Sequence, residues 1–579
     1  MRRRRTWIAA LLAVVTAGAV AAADHLPVLP EAGPPAAAAA STDATSGAWT
    51  CAVGDGRDGS QLALTSARPG DVGAGPGIME IDVLDAGELL PSGSPQVFPG
   101  AHVRNRVKGG EQAATFARWS DGPIAVSREW RLDEVDDVPE ATVAGPCQPA
   151  LSDRWVLPGM STEGGHEARI RAANPFPTDA TVAVGFVTPQ GPQEPLALQN
   201  LTVPAHGTFE LTVNDSMPEQ ADLTAVVRVL SGRAIVEGYQ LARSAIGDVD
   251  GASLLAPSTA AAESWTVPWV SEREGDTSWL WVANLGDRPA PVELTLHTPD
   301  GGVPPEGLSE LTVAPGQLRR VDLRGTFPDG VEAAAVTARS DGAPIHVAGA
   351  VLRGANESER TGFAVQLGIP RTDDTWLVSA GSTEGRNERL EVTNPGSESA
   401  RVSVTLFNGA TILRPEELAD LDVGPGASLA VPLGDVLGDV DGWSAQVVAS
   451  EGEVVVGRIG AARSDALTLT AHPGVPSAAW SPAGPALAVR AEPGAVQRLG
   501  TAGGVLPVDP LRRPDDESAE DDAGIADDPS PDAGTGADAP DPDADPEAES
   551  DPDTSGDPDA GTGGDPVEDI DAVDPGEDG

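Results

Sequence analysis

The sequence predicts an all-β protein of tandem immunoglobulin-like sandwich modules, with a hydrophobic segment at its N-terminus and a disordered acidic tail at its C-terminus. Three observations lead there. A block of about 110 residues recurs, opened by Trp49, Trp155, Trp265 and Trp376, and self-similarity at a fixed period means repeated units of one fold. Within the blocks, runs such as 181–187, 292–298 and 402–408 are rich in β-branched residues and carry no helical period. Glycine and proline, 67 and 53 of 579 residues, supply turns at the 8–12-residue spacing of a sandwich.

Residues 1–23 read as an export signal or a retained membrane anchor. Four arginines precede an apolar run from Trp7 to Ala23, and small residues offer a cut near Ala23–Asp24. Residues 24–47 are a Pro/Ala-rich linker. Module 1 spans 48–150, module 2 spans 151–260, module 3 spans 261–372 and module 4 spans 373–470. Residues 471–513 read as a partial closing segment around Trp480. Residues 514–579 hold 26 acidic residues and no Lys or Arg, so they cannot bury a core and should repel themselves.

The later blocks share more than the tryptophan. A serine follows six residues on (Ser161, Ser271, Ser382), then an asparagine (Asn174, Asn284, Asn394), then a Pro/Gly turn. Asparagine bonds the backbone ahead of it and tolerates unusual φ, so these three serve turns. Each block closes on a glycine turn (Gly232, Gly342, Gly452), read as the bend of a hairpin. The opening tryptophans read as core plugs rather than sugar-stacking platforms. Seven strands per module are expected, with the modules folding independently into a rod or curved array.

Cys51 and Cys147 are the only cysteines and bracket module 1. In an exported chain two cysteines ordinarily pair, and a loop of this length adds roughly 4–5 kcal/mol by chain entropy. Two buried free thiols are the rival reading. The net charge of −52 argues against nucleic acid and anionic membrane surfaces, which leaves membrane contact to the N-terminal segment alone.

No catalytic, cofactor-binding or metal-ligating residues emerge. Glu163, His166 and Glu167 sit in a loop whose counterparts change between repeats, so a solvated loop is expected. Trp269, Trp279 and Trp281 cluster only in module 3 and are the candidate ligand-facing aromatics, with aromatic burial as the other explanation. The tail sets carboxylates at alternate positions from Asp541 to Asp553, suited to weak divalent-cation association.

The chain also resembles a family of exported proteins of high-G+C Gram-positive bacteria whose domain has no assigned function. Trp49 with Cys51, the segments WVLPGMSTEGG from Trp155 and WLVSAGSTEGR from Trp376, and Asn394-Pro395-Gly396 carry the resemblance over residues 1–490. The block at Trp265 departs from it, reading WTVPWVSEREGD, and the tail lies outside it. These motifs are structural and imply no activity. The expectation is therefore a non-enzymatic cell-envelope scaffold or adhesin, in contact with cell-wall glycan or another envelope protein. The alternative is a carbohydrate-binding array using the module 3 tryptophans.

Overall fold

The computed structural model describes residues 46–480 apart from 55–59, 71–74, 86, 111, 133–140, 243–250, 309–310, 355–360 and 464–467. The signal or anchor, nearly all of the linker, residues 481–513 of the closing segment and the acidic tail lie outside the described residues. The described chain is almost wholly antiparallel β, and it forms one compact unit.

Module 1 sets the pattern with nine strands: β1 (Ser46–Cys51), β2 (Ser60–Ala67), β3 (Gly77–Asp85), β4 (Glu88–Gly93), β5 (Gln96–Val97), β6 (His102–Val107), β7 (Ala114–Ser120), β8 (Ala125–Leu132) and β9 (Ala141–Pro146). One sheet runs β1-β7-β3-β4, with the short β5 also on β3; the other runs β6-β2-β8-β9. The same two orders recur in modules 2, 3 and 4. Two short strands, β4 and β5, raise the expected seven to nine.

The strand order departs from the immunoglobulin one. There the first strand lies beside the second. Here β1 lies beside β7, and β8 lies beside β2. It follows that the turns at Gly232, Gly342 and Gly452 are not hairpin bends. The strand before each belongs to one sheet and the strand after it to the other, so each turn arches across the core.

The repeated residues explain this arch. Trp49, Trp155, Trp265 and Trp376 are all buried, and in modules 1, 3 and 4 the indole N–H donates to Ile124 O, Ile345 O and Val454 O at 2.7, 2.7 and 3.1 Å. Those carbonyls immediately precede the eighth strand, so the core plug also pins the arch. The asparagines work as expected. Asn284 Nδ2 donates to Arg288 O (2.7 Å) and Val313 O (3.0 Å) while its Oδ1 accepts from Gly286 N (3.0 Å). Asn174 and Asn394 repeat the pattern.

The modules are not independent. Their ninth strands, Ala141–Pro146, Gly251–Leu255, Gly362–Leu367 and Leu469–Pro473, pack each against the next, and the fourth packs against the first. This is a closed ring of four sandwiches, not a rod or curved array. Small residues make the hub. A Cβ on Gly251 would lie 2.8 Å from Phe363 N, and one on Gly362 would lie 2.5 Å from the Leu469 Cβ. Leu469–Pro473 crosses the boundary expected at 470, and Val475–Pro476 adds an edge beside Trp376 and Leu377.

Replacing Asn284 with alanine strands buried backbone groups and should lower stability by about 1–3 kcal/mol. Urea unfolding of Asn284→Ala against wild type measures this, and no change in midpoint would contradict the role given to the asparagine.

Candidate functional site

Polar chemistry in this molecule concentrates where modules meet. Between modules 1 and 2, Arg128 on β8 pairs with Glu237 on the eighth strand of module 2, and neither side chain is exposed. Glu237 Oε2 accepts from Arg128 Nη1 (2.6 Å), Ala52 N (2.7 Å) and Val53 N (3.0 Å), and Oε1 accepts from Arg128 Nη2 (2.9 Å). Both oxygens are satisfied, as a buried carboxylate requires. Trp130 and Tyr239 meet edge-on beside it at 5.3 Å.

Modules 4 and 1 close the ring around Glu129. This carboxylate accepts from Arg104 (2.8 Å), Arg131 (2.8 Å) and, from module 4, Arg386 (3.2 Å). Burial alone would raise its pKa, but Arg386, Arg131, Arg104 and Arg458 override that and pull it down to about 2. The hydroxyls of Ser127 and Ser379 meet at 2.6 Å, and His102 N donates to Gly409 O at 3.0 Å. Leu377, Phe407 and Val475 of module 4 enter the core of module 1.

The module 3 tryptophans are found at the other two boundaries. Trp279 and Trp281 pack edge-to-face at 5.3 Å within an apolar cluster shared by modules 2 and 3, and are 3% and 0% exposed. Trp281 Nε1 donates to Asp222 Oδ1 of module 2 at 2.7 Å. Trp269 is fully buried between modules 3 and 4, clustered with Ile459 and Leu469 and flanked by the guanidinium groups of Arg353 and Arg389 at 5.0 and 5.3 Å. The expectation of ligand-facing aromatics is thus corrected: a ring needs apolar area on the sides of each module, and these indoles supply it. A cavity of about 270 Å³ lies nearby, lined by Ser271, Arg273, His297, Arg353, Arg389 and Glu391. Its charges are engaged, Arg353 by Asp276 and Arg389 by Glu391.

The histidines follow the same rule. His166 is not part of a solvated loop. It is buried against the Phe363 ring of module 3 and hydrogen-bonded to Gln240. His346 meets Ser258 of module 2, His297 meets Gly426 O of module 4, and His472 packs on Arg458. Burial, with a nearby arginine in each case, lowers His166 to about 4 and His346 and His472 to about 3. Glu163 stays on the exposed turn beside His166. Among the described residues no group of three or more His, Cys, Asp or Glu is poised to hold a metal, and no helix is long and apolar enough to cross a membrane.

Cys51 and Cys147 form a disulfide with Cα atoms 4.7 Å apart, which points to an oxidising, extracytoplasmic environment. The bridge ties β1 to the segment just past β9, next to the backbone amides that bind Glu237. A model of a family of unknown function, DUF5719, matches residues 121–372 and 368–470. The chain belongs to this family. No curated protein matches it. The DUF5719 matches run from the end of module 1 through module 4, so they take in the whole of the boundaries between modules 2 and 3 and between modules 3 and 4.

Sequence reasoning missed the buried charges. A signal was present for one of them: Arg458 interrupts a strand of otherwise apolar or small residues. Glu237→Ala leaves Arg128 buried without its partner and should cost about 3–5 kcal/mol, whereas Glu194→Ala on the surface should be nearly silent. Denaturation midpoints compare them. Stability should also fall with acid. The boundary histidines bind protons near pH 6.5 when unfolded but only near pH 3–4 when folded, so their contribution is complete above about pH 6.5 and is lost as pH drops toward 3. Urea midpoints at pH 7, 5.5 and 4 should decrease in that order; a flat profile would contradict the burial of these groups.

Proposed function

We propose that the chain is a non-enzymatic, exported protein of the cell envelope that presents a rigid surface to other envelope components. The ring carries this reading. Four sandwiches share cores around a closed circuit, an arrangement suited to holding surfaces at fixed angles. The titratable groups best suited to chemistry, His166, His346, His472, Glu129 and Glu237, are spent on boundaries rather than turned to a cleft. The disulfide favours export, and the apolar run at residues 7–23 supplies the means, as cleaved signal or anchor. The partner is cell-wall glycan or an envelope protein; the net charge of −52 disfavours nucleic acid. The 26 acidic residues of 514–579 suit weak association with divalent cations.

A sugar-stacking array is the weaker reading, because Trp269, Trp279 and Trp281 have no open face. Fractionation of the native cells, followed by incubation of the purified protein with isolated cell wall, tests the proposal. The protein should be found outside the cytoplasm and be retained by wall material or wall-bound protein. Recovery from the cytoplasm, or no retention at all, would overturn it.

A further inference from the structure

Module 3 differs from its sisters at one place. In module 2 a single 3-10 turn, Leu196–Leu198, seats Leu198 on the open side of the sandwich. In module 4 the turn Glu416–Leu418 seats Leu418 in the same way. Both leucines are 5% exposed. The matching residue of module 3 is Leu308, three before Leu311 as Leu198 is before Leu201 and Leu418 before Leu421. Leu308 is 37% exposed, and Glu306–Leu308 forms no helical turn.

The cause is local. Pro195-Leu-Ala-Leu198 and Pro415-Glu-Glu-Leu418 become Pro305-Glu-Gly-Leu308. Gly307 takes φ +70°, outside the helical region, with nothing within 4 Å of the position a Cβ would occupy. Glu306 N meanwhile donates to Thr326 O at 2.7 Å, tying the loop to another connection. The core beneath is slightly less covered: Val292 and Leu294 are 6% and 8% exposed, against 1% and 2% for Val182 and Val184 and for Val402 and Val404.

The result is an open cleft of about 870 Å³, within the range of small-molecule sites. Val292, Leu294, Leu311 and Val321 line its apolar part, and Arg319 and Arg339 line its mouth. Neither arginine forms an ion pair with a described residue, although Glu293 and Asp341 share the rim. We propose that this cleft binds a single-chain amphiphile. Its acyl chain occupies the slot that leucine fills in modules 2 and 4, and a single carboxylate or phosphate at its end is held by Arg319 and Arg339. Guanidinium forks suit either head, and the acidic rim residues disfavour a polyanion.

Isothermal titration of the full chain with dodecanoate and with dodecyl phosphate tests this. At least one should give saturable heat at one site, and the tighter of the two identifies the head. Acetate, the head without the chain, should give none. Gly307→Ala disfavours the φ of +70° and restores the Pro-x-Ala-Leu sequence of module 2; it should close the slot and weaken binding about tenfold or more, with the urea midpoint showing that the chain still folds. The double variant Arg319→Ser with Arg339→Ser should weaken binding to a similar degree with the slot intact. Absence of saturable heat with both amphiphiles, undiminished binding by Gly307→Ala, or equal affinity for dodecyl maltoside would overturn the proposal.

Discussion

Everything in this molecule depends on sandwiches that do not finish their own cores. Each module leaves apolar area on its flanks, and each flank is covered by a neighbour. Tyr239, Leu241, Ala252 and Leu254 of module 2 complete module 1, while Trp279, Trp281, Phe363 and Val365 of module 3 complete module 2. Trp269, Val351 and Ala364 of module 3 join Ile459 and Leu469 of module 4. In a rod, the first and last flanks would face water. Here Leu377, Phe407 and Val475 of module 4 return to module 1, so the circuit has no exposed end. The exchanged strand order serves this closure. With β8 beside β2, the eighth strand has a free edge to which a ninth can pair, and the four ninth strands meet at the hub.

Apolar flanks alone would let one sandwich stick to any other. The buried charges make the match selective. Arg128 without Glu237 would be an unpaired ion in a low-dielectric interior, a cost of several kcal/mol. A buried pair adds little net stability over an apolar one, yet it penalises the wrong neighbour heavily. The pairs differ between the two boundaries of module 1, Arg128 with Glu237 toward module 2 and Glu129 with Arg386 toward module 4. Lowered histidine pKa values are a by-product: imidazoles placed in these cores stay neutral because ionising them there would cost desolvation.

Within a module, much was legible in the sequence. Trp49, Trp265 and Trp376 could be read as plugs and Asn174, Asn284 and Asn394 as turn residues, because a tryptophan core or an Asx turn is set by a few neighbouring residues. The strands at 180–188, 290–298 and 400–408 were visible from alternation and branching. What could not be read was everything that depends on the partner. A glycine turn looks the same whether the chain stays in one sheet or crosses to the other, so in sequence an arch reads as a hairpin. Trp279 and Trp281 show only that two indoles share a strand face, and they are buried because module 2 lies against that face. At Gly307 the signal was again present, since a glycine stands where the sister turns hold Ala197 and Glu417, but its meaning rests on where Leu198 and Leu418 are seated.

The closed ring is tested most directly at its seam. Ser127 and Ser379 lie 252 residues apart in sequence with their hydroxyls 2.6 Å apart. Cysteines at both positions, oxidised under mild conditions and mapped by peptide mass analysis, should give a cross-linked peptide pair in the monomer alongside the Cys51–Cys147 bridge. A monomer in which Ser127→Cys and Ser379→Cys stay reduced, or link only between molecules, would mean that modules 1 and 4 do not meet and that the ring is open.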